Sequence, residues 1–120
     1  MNEEIKNALE QERTIDITTR GKKSGGPRRK EIWFHNIDGR IYITGTPGTR
    51  DWYANMIAAP DFTFHLKQSV QADIPARATP VRDEAERRRV LEAILQNLEG
   101  DRDINEWLKD SPLVEVALQI

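Results

Sequence analysis

The residues best able to do chemistry in this chain form a glycine-rich basic segment between positions 20 and 30. Six of the chain's 18 lysine and arginine side chains lie there, and no carboxylate occurs between Asp16 and Glu31. Glycines at 21, 25 and 26 allow backbone N–H groups to approach an anion, and Ser24 adds a hydroxyl. The segment indicates a phosphate-binding loop whose cations supply charge-assisted hydrogen bonds. These cations are Arg20, Lys22, Lys23, Arg28, Arg29 and Lys30.

The same segment differs from the two common nucleotide motifs. In a P-loop the lysine follows the last glycine and opens a helix, and the dinucleotide fingerprint belongs to a βαβ unit. A solvated basic turn without a ligand is the alternative interpretation, because most charge runs are simply surface. The net charge of −2 and the lack of an aromatic platform beside the loop argue against a nucleic-acid partner.

The residue inventory excludes several other chemistries. The chain of 120 residues contains no cysteine, which excludes disulfides, thiolate metal sites and a cysteine nucleophile. His35 and His65 are the only histidines and nothing nominates a third ligand, so no metal site is predicted. No serine lies in a nucleophile-elbow context. Any redox chemistry would therefore come from a bound organic cofactor.

Length and hydropathy bear on domain count and location. A chain of this length fits one domain over residues 1–120. The charged N-terminal residues lack the apolar region of a signal peptide, and no segment approaches the roughly 20 apolar residues that span a bilayer. We expect a soluble cytoplasmic protein, either a monomer or a homodimer that pairs to bury more surface.

Short elements must position the basic loop. Apolar spacing predicts helices over 3–12 and 52–59, a long one from the N-cap Asp83 to a stop at Gly100, and a short one over 104–108. Alternation predicts strands over 14–19, 30–37, 40–44, 62–66, 70–79 and 114–118. Asp38-Gly39 signals a hairpin, and Pro75 indicates an edge strand or a bulge. Arg87, Arg88 and Arg89 are expected on a solvated, ion-paired helix face. The pattern favours an α+β fold with about six antiparallel strands in a barrel-like sheet.

Three parts of the sequence together resemble a known family. They are the run Thr18-Thr19-Arg20-Gly21-Lys22-Lys23-Ser24-Gly25-Gly26-Pro27-Arg28, the run Trp52-Tyr53-Ala54-Asn55, and Ala59-Pro60. Across most of residues 14–80 the chain resembles the deazaflavin (coenzyme F420)-dependent nitroreductase family. The resemblance implies a split β-barrel of the FMN-binding type.

The resemblance also implies site residues. The phosphate and polyglutamate tail of coenzyme F420 would be bound by Lys22, Lys23, Ser24 and Arg28. The deazaflavin ring would be lined by Thr44, Gly45 and Thr46, and its pocket closed by Trp52 and Asn55. From the residues alone, an aromatic at the start of an amphipathic helix is more often core, so Trp52 keeps that alternative.

The expected activity is hydride transfer from reduced F420 to a small electrophile: a quinone, an activated alkene or a nitro compound. FMN is the alternative cofactor, and a non-catalytic carrier of a flavin, a deazaflavin or a hydrophobic ligand is the alternative function. Two departures from the family concern the substrate side. Pro47 removes a donor from the ring loop, and Leu98, Asp101 and Ile104 precede Trp107 where nitroreducing members have tyrosines. No catalytic residue or proton donor is predicted.

Overall fold

One antiparallel sheet organises the chain. The computed structural model describes residues 2–98 and 100–120. In these residues the strands are β1 (Thr14–Arg20), β2 (Pro27–Trp33), β3 (His35–Ile37), β4 (Arg40–Thr44), β5 (Asp61–Leu66), β6 (Ala72–Pro80) and β7 (Leu113–Leu118). The helices are α1 (Glu3–Gln11), α2 (Asp51–Ala58), α3 (Glu84–Gln96) and α4 (Ile104–Asp110). The predicted α+β class with antiparallel strands is confirmed.

The sheet curls because its two edge strands are neighbours in the chain. Its order is β2-β1-β5-β6-β7-β4-β3, so β2 and β3 occupy opposite edges although only Phe34 separates them. The backbone N–H of Phe34 donates to Arg13 O at 2.8 Å, and its side chain is buried against Phe64 with ring centroids 5.4 Å apart. A chain that passes from one edge to the other in one residue forces the edges together, which gives a half-barrel.

The strand count differs from the prediction because of this same residue. The segment predicted as one strand over 30–37 is two strands, and the structure has seven strands rather than about six. β2 pairs with β1, whereas β3 pairs with β4 across the predicted Asp38-Gly39 turn. Asp38 and Gly39 have φ angles of 54° and 89°, the left-handed conformation that a two-residue hairpin turn requires. The hairpin is confirmed with a shorter first strand.

The interior of the half-barrel holds the main apolar core. Ile15 and Ile17 of β1 face inward beside Phe64 of β5, while Asp16 and Thr18 point to the outer face. α2 packs its Trp52 and Met56 against this interior. One mouth of the half-barrel is therefore closed by α2, next to the turn that joins β1 to β2.

Pro75 lies inside the sheet, so the prediction that it marks an edge strand is wrong. β6 pairs with β5 on one side and β7 on the other. Pro75 lies opposite Thr63 of β5, and the ladder to β7 begins only at Ala76. A residue without an N–H is tolerated there because the second ladder starts after it.

Helix termini confirm the predicted N-cap at Asp83 and correct the predicted stop at Gly100. The side chain of Asp83 accepts a hydrogen bond from Glu86 N at 3.0 Å, as an N-cap does. Asp51 is the first helical residue of α2, whose N-cap is Arg50. α3 ends at Gln96 with Asn97 as C-cap, before Gly100 is reached. The stop therefore comes from the Asn97 N–H, which bonds to Ile94 O and Leu95 O.

Arg87 corrects the expectation of a solvated arginine face. Its guanidinium donates to the backbone oxygens of four residues at 2.9–3.3 Å. Arg88, in contrast, is exposed and pairs with Glu92 at 3.4 Å. Arg87 thus ties α3 to the C-terminal end of α4 and to the residue that follows β6. The four acceptors are Val81, Trp107, Leu108 and Ser111.

Candidate functional site

A cleft of about 910 Å³ opens between the β1–β2 turn and α2. Six of its lining side chains are cationic, and Asp51 is the only carboxylate among the described residues that line it. Ile17 and Trp52 add apolar surface. The cations are Lys22, Lys23, Arg28, Arg29, Lys30 and Arg50. Such a cleft is shaped and charged for an elongated anion that carries an apolar group.

The basic loop, residues 21–26, is folded by its own hydrogen bonds. The N–H of Gly21 donates to Gly26 O at 2.7 Å, and the N–H of Gly25 donates to Gly21 O at 2.8 Å. Gly25 has a φ of 72°, which favours glycine. The Ser24 hydroxyl accepts from Gly26 N at 3.2 Å and from Arg28 Nη2 at 3.0 Å. The predicted loop is therefore a compact turn, and its own hydrogen bonds fix the backbone that carries the cationic side chains.

Asn55 joins this loop to the helix that faces it. Its Oδ1 accepts from the backbone N–H of Lys22 at 2.9 Å, and its Nδ2 donates to Thr19 Oγ1 at 3.1 Å. The side chain is buried, with 7% of its surface exposed. Both ends of its amide are thus used within the protein, and Asn55 holds the two walls of the cleft at a fixed separation.

Strand alternation places two further cations inside the cleft. Arg28 and Lys30 of β2 lie opposite Thr19 and Ile17 of β1, whose side chains face the interior of the half-barrel. Because β2 is an edge strand, its inward side chains remain exposed at the mouth. The inner face of the sheet is therefore positively charged at β2, although elsewhere the same face forms the apolar core.

An ion-pair network on the outer face fixes β2 in this position. Asp16 accepts from Arg29 Nε at 2.9 Å and from Lys67 Nζ at 2.7 Å, and Lys67 also contacts Glu31. The hydrogen bond from Lys67, followed by that from Arg29, lowers the pKa of Asp16. The same contacts, with Asp16 first, raise the pKa of Lys67. Three strands are tied together behind the cleft by these charges.

A second polar row continues along this outer face. His65 Nε2 is hydrogen-bonded to Thr18 Oγ1 at 2.7 Å, and His65 Nδ1 lies 2.7 Å from Asp73 Oδ1. The bond to His65 lowers the pKa of Asp73. These contacts give both ring nitrogens of the buried His65 a hydrogen-bond partner on a neighbouring strand. We therefore assign the row to holding the strands of the sheet together.

Trp52 satisfies both interpretations that the sequence left open. It is only 4% exposed and belongs to the core cluster, yet it also lines the floor of the cleft. Its ring meets that of Tyr53 edge to face, with centroids 6.0 Å apart. A planar group bound in the cleft would meet a rigid aromatic wall at this point.

The three residues predicted to line the ring do not line the described cleft. Thr44 is buried, and its hydroxyl donates to Pro112 O at 2.5 Å. Gly45 and Thr46 continue the chain toward α2, where Arg50 Nη2 donates to Thr46 O at 3.0 Å and also contacts its hydroxyl. Thr46 is thus connected to the cleft only indirectly, through its contacts with Arg50, which is one of the residues that line the cleft.

Sequence reasoning missed Thr49, Arg50 and Lys30 as cleft residues. Lys30 was counted with the basic cluster, and only the strand pairing shows that it faces inward. Thr49 and Arg50 directly precede the predicted helix α2. Local sequence patterns do not show that this helix begins at the mouth of a cleft, because that depends on tertiary packing. The sequence signal that could have identified them was a cation, Arg50, just before the helix that carries Trp52.

The described residues hold neither a metal-binding cluster nor a membrane-spanning helix. Among residues 2–98 and 100–120 no group of three or more histidine or acidic side chains could hold a metal ion. No helix in that part of the chain is long and apolar enough to cross a membrane.

Solved structures with the same fold span nearly all of the chain. A conserved hypothetical protein of Mycobacterium tuberculosis is 17% identical with a TM-score of 0.75, covering 100% of this chain and 81% of that one. A protein of Listeria innocua, provisionally assigned as a pyridoxamine 5'-phosphate oxidase, is 14% identical with a TM-score of 0.71 and coverages of 98% and 93%. These likenesses confirm the split-barrel fold.

A third structure and a family match connect the fold to a cofactor. A protein described as an F420 reductase is 15% identical with a TM-score of 0.70, covering 96% of this chain and 93% of that one. Residues 1–117 match the family described as F420H(2)-dependent quinone reductase. The match includes every residue of the basic cleft and assigns F420-dependent reductase chemistry to this fold. The chain belongs to the F420H(2)-dependent quinone reductase family.

Proposed function

We propose that this protein holds reduced coenzyme F420 in the basic cleft and passes its hydride to a quinone. The observation that carries the proposal is the composition of the described cleft: six cationic residues, of which only Arg29 is paired with Asp16 on the outer face, and one carboxylate beside a buried tryptophan. An anionic tail and a planar apolar ring, joined in one ligand, are the groups that such a surface can bind.

The residues present fit the tail of the cofactor. Lys22, Lys23 and Arg28 offer exposed cationic side chains on a backbone that the loop's own hydrogen bonds have already fixed. Lys30 extends the charge along β2. A tail with several negative groups would meet several cations along this path, whereas FMN would place only a phosphate there. The charge distribution therefore favours F420 over FMN.

The ring end of the cleft is defined by α2. Thr49, two residues before its start, and Trp52, in its first turn, both line the cleft. The N-terminus of a helix favours negative charge that develops nearby. In this proposal Trp52 orients the ring and shields it from water, and Asn55 sets the width of the cleft through Lys22 and Thr19.

The chemistry itself belongs to the cofactor, which supplies a hydride when reduced. This chain binds the tail, orients the ring and excludes water from the reacting face. The cleft's described residues include no histidine and, besides Asp51, no carboxylate. The proton of the product therefore comes from solvent.

Turnover of reduced F420 with a quinone tests this function. Oxidation of the cofactor is followed by its absorbance after a benzoquinone is added to the purified protein. We expect turnover with the quinone, and separate assays with an activated alkene and a nitro compound establish the acceptor range. Binding of F420 without oxidation by any of the three would show a carrier in place of a reductase.

We propose that residues 1–120 act as one cytoplasmic domain, as a monomer or a homodimer, on a small molecule and without nucleic acid. Size-exclusion chromatography with light scattering distinguishes the two assemblies. Binding to DNA or RNA that weakens steeply with salt would contradict the assignment of the basic loop to the cofactor.

A further inference from the structure

Arg50 is the one cation of the described cleft that comes from the helix side. The other five cationic residues that line the cleft lie between positions 22 and 30, on the basic loop and β2. Arg50 is the N-cap residue of α2, and only Asp51 separates it in the chain from Trp52, which lines the cleft as well. The cleft therefore carries one positive charge beside its aromatic wall, apart from the cations of the opposite wall.

The chain segment before α2 is folded around the Arg50 guanidinium. Nη1 donates to Thr49 O at 2.8 Å, and Nη2 donates to Thr46 O at 3.0 Å. A Cβ at Gly48 would lie 3.1 Å from Nη1, and Gly48 has a φ of 128°, so this close approach requires glycine. Arg50 is half-buried, whereas Lys22 and Lys23 of the basic loop are exposed. The Arg50 guanidinium is thus held in one position at the cleft.

The positive charge of Arg50 is met by neutral oxygens only. Its partners within residues 2–98 and 100–120 are two backbone carbonyls and the Thr46 hydroxyl, and no carboxylate there forms an ion pair with it. Nε also has no hydrogen-bond partner in that part of the chain, and it remains accessible to solvent. A guanidinium that is partly withdrawn from water without a counter-ion favours a bound anion.

The ring of coenzyme F420 is a group that can supply this anion. Its hydroxyl is a phenol conjugated with the pyrimidine carbonyls, so loss of the proton gives a planar anion whose charge is shared by both ends of the ring. The oxidised ring of FMN has no such hydroxyl and is neutral near neutral pH. A planar guanidinium binds a planar delocalised anion through parallel hydrogen bonds or by stacking.

We propose that Arg50 contacts the deazaflavin ring itself and binds its ionised form, so that Arg50 selects F420 over FMN at the ring. The inference rests on the proposed function, since it assigns a role to one more residue of the same cleft. The basic loop and β2 recognise charge on the tail, whereas Arg50 recognises charge on the ring. FMN would satisfy the loop with its phosphate and leave Arg50 without an anion.

The absorbance of oxidised F420 tests this contact without turnover, because ionisation of the ring hydroxyl changes the visible spectrum. The pH is varied with F420 free in solution and with F420 bound at saturation. We expect the ring to ionise at a lower pH in the wild-type complex than in solution, because Arg50 stabilises the anion. In Arg50→Gln the ring should ionise at a higher pH than in the wild-type complex. Lys30→Gln, which removes a cation from the opposite wall, should match the wild type.

Ligands without the phosphate and the tail separate Arg50 from the tail cations. The ring-and-ribityl fragment of F420 is such a ligand, and riboflavin is its counterpart with a neutral ring. At a pH where the fragment is ionised, Arg50→Gln should bind it about tenfold more weakly, the loss of one charge-assisted contact. Riboflavin should bind to Arg50→Gln and to the wild type equally. A merely structural role of Arg50 would weaken the binding of both ligands.

Failure of the ring contact is distinguishable from failure of cofactor binding. A ring that ionises at the same or a higher pH in the wild-type complex than in solution overturns the proposal, and this holds even if Arg50→Gln does not fold. Equal ring ionisation in Arg50→Gln and the wild type also overturns it. A wild-type protein that does not bind F420 instead overturns the proposed function.

Discussion

Asn55 and Lys22 are joined by one hydrogen bond of 2.9 Å, from the backbone N–H of Lys22 to Oδ1 of Asn55. Lys22 is the first residue of the basic loop that has a side chain. The bond connects it to α2 on the other side of the cleft. The other end of the same amide reaches Thr19 at the end of β1. One buried side chain therefore sets the position of the loop that we propose binds the cofactor's tail.

Replacing Asn55 with leucine should weaken F420 binding through the loop and not through a lost cofactor contact. The substitution leaves the Lys22 N–H and the Thr19 hydroxyl without a partner, which costs about 1–3 kcal/mol of unfolding free energy. Amide hydrogen exchange should quicken at residues 21–26, and the F420 dissociation constant should rise. A weaker affinity with unchanged exchange in the loop would instead show that Asn55 touches the cofactor directly.

Two glycines of the basic loop form a matched pair. A Cβ at Gly21 would lie 2.6 Å from Ser24 Oγ and 3.3 Å from Gly26 O, whereas a Cβ at Gly26 would meet only Ser24 Oγ at 3.8 Å. Gly21→Ala must displace the Ser24 hydroxyl, which holds Gly26 N and Arg28. We expect Gly21→Ala to weaken F420 binding roughly tenfold, as for the loss of about one hydrogen bond. Gly26→Ala should bind as the wild type does, and equal losses in both variants would contradict this account of the loop.

Arg87 and Arg88 should differ sharply in their effect on stability. Arg87→Lys removes a planar fork that donates to several backbone oxygens, and a lysine cannot reproduce that geometry. We expect a loss of about 2–3 kcal/mol in urea unfolding. Arg88→Lys alters only an exposed pair with Glu92 and should cost less than about 0.5 kcal/mol. Similar losses of unfolding free energy in the two variants would show that the backbone contacts of Arg87 stabilise the fold no more than the exposed pair of Arg88 does.

These arginines show where sequence reasoning succeeds and where it fails. The Asp38-Gly39 hairpin, the Asp83 cap and the basic loop are local signals, and the structure has all three. Arg87 looked like its exposed neighbour because three of its four acceptors lie 20 or more residues away along the chain. The break at Phe34 was equally hidden, since it depends on which strand each half of the segment finds as a partner.

The site was predictable to the same degree. The tail residues lie on one contiguous loop that a motif can mark, and the structure brings them to one cleft. Thr44 was expected at the ring, but its hydroxyl is occupied by Pro112, a residue 68 positions later. Asn55 meets Lys22 and Thr19, which lie 33 and 36 positions earlier, and no local pattern connects those positions.

Acid should destabilise the protein through His35. Burial, with a smaller contribution from Arg13, lowers the pKa of His35 to about 4. The folded protein therefore keeps this ring neutral while the unfolded chain binds a proton below about pH 6.5. Stability should fall as the pH drops from about 6.5 toward 4, by at most about 1.4 kcal/mol per pH unit. In urea unfolding at several pH values, His35→Phe should lose less stability over this window than the wild type. Parallel pH profiles would refute the assignment.

The most direct test of the central claim is a fluorescence titration of the protein with oxidised coenzyme F420. The wild type should bind with a micromolar dissociation constant, and the affinity should fall as salt is added. Arg28→Gln and Lys30→Gln together should weaken binding by roughly a hundredfold, about tenfold for each charge-assisted contact, while Arg88→Gln should bind as the wild type does. An absence of any fluorescence change at micromolar coenzyme, or equal affinity in the double variant, would contradict the assignment of the basic cleft to F420.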